Sequence, residues 1–213
     1  MSGVNKNSIR SIIIIILYFI FPYLIKILNM GKILTIFSYL IFSFIIIYLY
    51  RNTFIDDLKD ICENKKKYII SILKNVILLF IIMIVTNALI GIIFNIKETS
   101  ENDYSLLNMF KKTPVVLVLL TGLYYPVIEG VIFRKTIRDI IDKKWLFIMF
   151  SSLFYFFFNI VYTSMSLTSI LTSLCYLFSM MLLSNYYFKT DNFTASIVVM
   201  IIYNLIISLI SFI

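Results

Sequence analysis

Apolar residues run through this chain in stretches of about twenty, separated by short polar segments, a length that matches the hydrocarbon core of a bilayer. The stretches predict helices near Ser11–Leu28, Ile33–Tyr50, Tyr68–Phe94, Pro114–Phe133, Trp145–Tyr162, Thr168–Phe188 and Phe193–Ile213. Backbone groups in lipid must be satisfied within the protein, which leaves only helices and closed barrels. With 5 Gly, 3 Pro and no alternating ten-residue pattern, the chain has little turn chemistry for a barrel. The expected fold is therefore all-α, a polytopic transmembrane bundle of about seven spans. The first stretch follows Lys6 and Arg10 and has no small-residue cleavage site after it, so it reads as a retained helix.

Two polar segments interrupt the pattern. Within Arg51–Lys67, the residues Phe54, Ile55, Leu58, Ile61 and Cys62 recur at helical spacing, which predicts a short amphipathic helix in the interface. Asn95–Lys112 is the other long loop, with Glu98, Glu101 and Asp103. The expected organisation is three N-terminal spans in residues 1–104, with the amphipathic segment at 51–67, and a four-helix core in residues 105–213.

Composition agrees with the pattern. Of 213 residues, 61% are hydrophobic and 14% charged, too few charged groups to clothe a soluble domain of this size. The net charge of +8 does not point to nucleic acid, because the basic residues sit at the ends of apolar stretches, where they set topology. With the N-terminus inside, 13 of the 19 Lys and Arg fall on the inner side and 5 on the outer. The bias predicts N-in and C-out. Lys74, two turns into its helix, reads as a snorkelling side chain. Cys62 and Cys175 have no CxxC or metal-ligand neighbour and are not expected to pair. The Ile, Lys, Asn and Tyr bias, with Lys far outnumbering Arg, suggests an A+T-rich bacterial genome and hence a plasma membrane.

Ionisable groups deep in membrane helices are costly and are functional candidates by default. Glu129 is the foremost, with Arg134 at the inner end of the same helix. Asn75, Asn87, Asn159, Asn185 and Asn204 are further polar groups, and Thr168, Ser169, Thr172 and Ser173 fit interhelical packing.

Around Glu129 the chain reads Pro126-Val-Ile-Glu129-Gly130-Val-Ile-Phe133-Arg134. Further on come Ser151-Ser-Leu-Phe-Tyr155-Phe-Phe-Phe-Asn159 and, after Thr190-Asp-Asn-Phe193, Met200-Ile-Ile-Tyr-Asn204. These three segments, in order and with matching separations, resemble the signatures of the CPBP family of intramembrane proteases, which includes type II CAAX prenyl proteases and the Abi and bacteriocin-processing proteins. The family patterns are Glu-Glu-x-x-x-Arg, Phe-x-x-x-His and His-x-x-x-Asn. The resemblance implies a site in which a Glu and a His activate water while a second His and the Asn stabilise the oxyanion. Carried over, Glu129 matches the catalytic Glu, Asn204 the oxyanion Asn and Arg134 the structural Arg.

The departures matter as much. Gly130 stands where the second Glu belongs, Asn159 for the water-activating His and Met200 for the oxyanion His; the chain has no histidine at all. Asn cannot take a proton as a general base, and a thioether cannot donate to an oxyanion. One Glu, two Asn and a Met also make no zinc site, so neither metal nor other cofactor is expected. Glu129, Asn159 and Asn204 are expected to form a hydrogen-bonded cluster, either holding the helices in register or lining a binding pocket. Without its i−4 partner at 130, Arg134 is expected to snorkel to the inner headgroups with Lys135, Arg138, Lys143 and Lys144.

The reading that follows is a catalytically degenerate family member acting by binding, as a regulator, a scaffold of a membrane or cell-wall enzyme, or a bacteriocin self-immunity protein. Its expected partners are membrane lipids and another membrane protein or peptide. The alternative is an active glutamate-type endopeptidase. A small transporter subunit finds no support in repeats or interrupted helix pairs.

Overall fold

The computed structural model describes residues 6–95, 118–161 and 166–210, and all of the regular structure among them is helical. α1 spans Lys6–Ile27, α2 Lys32–Leu49, α3 Arg51–Glu63 and α4 Lys65–Phe94. α5 is continuous over residues 120–140 but changes winding: a π turn at Leu120–Tyr124, an α-helical turn at Tyr125–Gly130, a second π turn at Val131–Lys135, and α-helix again at Thr136–Ile140. α6 spans Lys144–Val161, α7 Leu167–Thr172, α8 Leu174–Thr190 and α9 Phe193–Ile210.

Among the described residues, five helices are long and apolar enough to cross a membrane, or six if the pair α2 and α3, bent by 62°, counts as one. The loop Asn95–Lys112 lies outside the described residues beyond Asn95, as do the start of the helix expected from Pro114 and the last residues to Ile213. The helix expected to stop at Phe133 continues to Ile140, so the basic segment after Phe133 is helical rather than loop. The expected helix Thr168–Phe188 is two pieces, broken at Ser173.

Helix ends follow from the scarcity of glycine. α1, α4 and α8 close on Asn29, Asn95 and Asp191, each with φ between 47° and 52°. Asn and Asp are the non-glycine residues that best tolerate the left-handed conformation, and here they take over the C-terminal stop.

The outside of the bundle is apolar, with Ile77, Ile81, Ile84 and Ile92 of α4 all at least half exposed. That pattern is stable only where the surroundings are lipid. Inside, α8 packs between α6 and α4, α9 lies against α4 and α5, and α1 runs along the C-terminal end of α5. The largest cluster centres on Phe133, whose ring meets Tyr155 and Phe158 at 5.1 Å and Tyr18 at 6.0 Å. A second cluster joins Tyr68, Ile72, Val76 and Leu79 of α4 to Leu183, Tyr186, Ala195 and Val199.

α3 divides its apolar residues between two neighbours. Phe54 meets Phe193 at 5.3 Å and Ile61 packs on the second cluster, whereas Ile55, Leu58 and Cys62 are exposed. One flank thus faces the protein and the other is free for lipid. The polar face of α3 clamps the start of α9. Asp57 Oδ2 accepts from the Thr194 backbone nitrogen at 2.7 Å and its hydroxyl at 2.9 Å. Asn192 caps α9 by accepting from Ala195 N at 2.8 Å, and its amide donates to Asp57 O and Asp60 Oδ2. Tyr68 also donates to Asp60. Burial raises the Asp57 carboxyl above its ordinary range, opposed by the Thr194 bonds. The bonds from Tyr68 and Asn192 hold Asp60 below that range.

Candidate functional site

Glu129 sits on the α-helical turn of α5 between its two π turns. A π turn leaves carbonyls badly placed for their usual i+4 donors, and in lipid those carbonyls need partners from elsewhere. Each π turn is supplied. Asn204 Nδ2 of α9 donates to Thr121 O at 2.7 Å. Ser151 of α6 donates to Phe133 O and shares a 2.7 Å bond with Ser184 of α8, and Thr136 donates to Ile132 O. The irregular winding of α5 is therefore stitched directly to two other helices, α9 and α6, and Glu129 is held in the segment between the stitches.

The partly buried Glu129 takes its hydrogen bond from Tyr155, with Oη 3.0 Å from Oε2. The expected bonds from Asn159 or Asn204 are not formed. Asn159 donates to Tyr155 O of its own helix at 2.8 Å, and Asn204 serves the Thr121 carbonyl. Each amide is captured by a backbone acceptor within reach, which leaves Tyr155 as the donor aimed at the carboxyl. Met200, one turn before Asn204, packs against the second apolar cluster, which α4, α8 and α9 build together. Tyr155 carried a signal in the sequence, since it precedes Asn159 by four and shares its helix face. Thr121 carried none, because it takes part through a backbone carbonyl.

Arg134 corrects an expectation. It does not snorkel: it is 0% exposed and lies in the interior of the bundle. Gly130 explains how. A Cβ at position 130 would lie 2.8 Å from Arg134 Nη2 and 2.8 Å from Ile197 Cγ1, so the missing side chain is the space into which the guanidinium folds back. Nor is Arg134 ion-paired with Glu129; its Nε, Nη1 and Nη2 have no hydrogen-bond partner among the described residues. The neighbouring Lys135 does pair, with Asp139 four residues on. Asp139 also accepts from Ser11 at 3.0 Å and lies 4.0 Å from Arg10, which ties α1 to the C-terminal end of α5.

Apolar helices long enough to cross a membrane, with a carboxyl, two amides and a buried guanidinium placed on α5, α6 and α9, fit a multi-pass membrane protein. Residues 111–206 are similar to the family model described as type II CAAX prenyl endopeptidase, Rce1-like. No curated protein and no solved structure matches the chain.

Proposed function

We propose that this protein is a family member that has given up peptide-bond cleavage and works by binding within a bacterial plasma membrane. Its partner is another membrane protein or a peptide, which it regulates, scaffolds or, as a self-immunity protein, neutralises. The observation that carries this reading is the absence of histidine from all 213 residues, with Asn159 and Met200 at the two positions where the family signatures place it. Loss of an oxyanion donor typically lowers turnover by about 10²–10³, and loss of a base partner by about 10²–10⁴. Two further contacts support it. The amide of Asn204 donates to the Thr121 carbonyl, and Met200 is packed against the second apolar cluster.

A cleavage assay with prenylated and leader-peptide substrates tests the reading. Wild type and Glu129→Ala are expected to show the same background. Turnover that Glu129→Ala abolishes would instead establish a glutamate-type endopeptidase. One feature favours that second reading: Glu129 is retained and oriented by Tyr155.

A further inference from the structure

The corner where α3 meets α4 holds an open recess of about 660 Å³, lined by residues 62–67 and Ile70. Its charge is one-sided. Lys65, Lys66 and Lys67 stand against one carboxylate of the lining, Glu63, and none of the three forms an ion pair among the described residues. The other carboxylates of α3 near this end are engaged. Asp60 accepts from Tyr68, Asn64 and Asn192, and Asp56 pairs with Lys59. Lys74 adds to the same side: Lys67, Ile70 and Lys74 succeed one another at i, i+3 and i+7, on one face of α4. Long side chains on a helix lean toward its N-terminus. The exposed Lys74, set among lipid-facing residues, therefore leads its ammonium back toward the recess.

The walls of the recess continue as apolar surface. Ile69, Ile70, Leu73 and Ile77 of α4 are each more than half exposed, and Ile55 and Leu58 on the free flank of α3 are nearly so. A cationic recess opening onto an apolar wall matches the two parts of an anionic phospholipid, a phosphate and its acyl chains. We propose that this corner binds an anionic phospholipid, with the headgroup phosphate among Lys65, Lys66 and Lys67 and the chains along Ile70, Leu73 and Ile77. A zwitterionic lipid brings its own cation beside the phosphate and leaves the lysines uncompensated. The inference is independent of whether the chain cleaves peptides.

Cys62 reports on the recess, because it lines it and is exposed, whereas Cys175 is buried. The test is the rate at which an uncharged maleimide modifies Cys62 in the purified full chain, held in a neutral detergent, as phosphatidylglycerol is titrated in. Saturable slowing is expected with phosphatidylglycerol, and none with phosphatidylcholine or with soluble glycerol phosphate at the same concentrations. A lysine beside an anionic lipid contributes about fivefold in affinity, so Lys65→Gln/Lys66→Gln/Lys67→Gln should weaken the titration midpoint by roughly a hundredfold. Lys143→Gln/Lys144→Gln, which removes exposed charge at the start of α6, should leave it unchanged. Cys62 modification indifferent to phosphatidylglycerol overturns the proposal without any variant. Equal slowing by phosphatidylcholine overturns it as mere apolar filling, and equal slowing by glycerol phosphate as a free-phosphate site. An unchanged midpoint in the triple variant, or an equal loss in the α6 variant, also overturns it. Should the triple variant fail to fold, Lys67→Gln alone decides, with an expected weakening of about fivefold.

Discussion

The side-chain amide of Asn204 lies 2.7 Å from the backbone carbonyl of Thr121, joining α9 to the first π turn of α5. A residue whose sequence context suggests oxyanion chemistry is engaged in satisfying irregular backbone at membrane depth. Asn204→Leu should leave that carbonyl without its donor and cost about 1–2 kcal/mol. The thermal midpoint is then expected to fall by roughly 2–8 °C. A variant as stable as wild type would mean the bond contributes nothing net.

Tyr155 and Glu129 form the second such relationship, and a double-mutant cycle isolates it. Tyr155→Phe and Glu129→Leu should each destabilise the protein. Their combination is expected to be less harmful than the sum, with a coupling of about 0.5–2 kcal/mol. Strict additivity in denaturation measurements would separate the two side chains.

The clamp between α3 and α9 titrates. Asp60 is held below its ordinary range by Tyr68 and Asn192, so near that range the unfolded chain binds more protons than the folded one. Stability from this group is therefore present above the ordinary carboxylate range and lost as pH falls through it. Asp60→Asn should flatten that part of the acid limb of a stability-against-pH curve. Wild type and variant losing stability in parallel would assign the acid sensitivity elsewhere.

Asp57 tests the same clamp at neutral pH. Asp57→Ala removes the acceptor for both Thr194 donors at the start of α9, and N-terminal acceptors of this kind contribute about 1–2 kcal/mol. Faster backbone hydrogen exchange at Thr194 and Ala195 is the expected signature, with the far end of α9 unchanged.

Orientation is open to labelling. Cys62 is exposed on α3, and the basic asymmetry assigns that helix to the inner side. A membrane-impermeant thiol reagent should reach Cys62 only from the inner face, whereas cysteines introduced at positions 102 and 213 should react from outside. Labelling of Cys62 from outside would invert the topology.

The apolar runs determined the helices by themselves, because a stretch of twenty residues without charge has no other stable state in lipid. Local signals were likewise enough for the amphipathic α3 and for the missing histidines, since each is a property of composition or of spacing within one helix. The partners were decided only in three dimensions. Whether Glu129 meets Asn159, Asn204 or Tyr155 depends on helix rotation and on which backbone acceptors capture the amides first. The π turns of α5 are stabilised by Asn204 and Ser151 on other helices, so no local propensity announces them. Arg134 shows the limit most clearly: taken alone, an unpaired arginine near a helix end belongs at the headgroups. Its burial follows from the gap above Gly130 and the packing of Ile197 from α9 beside it, a shape that exists only once the helices have come together.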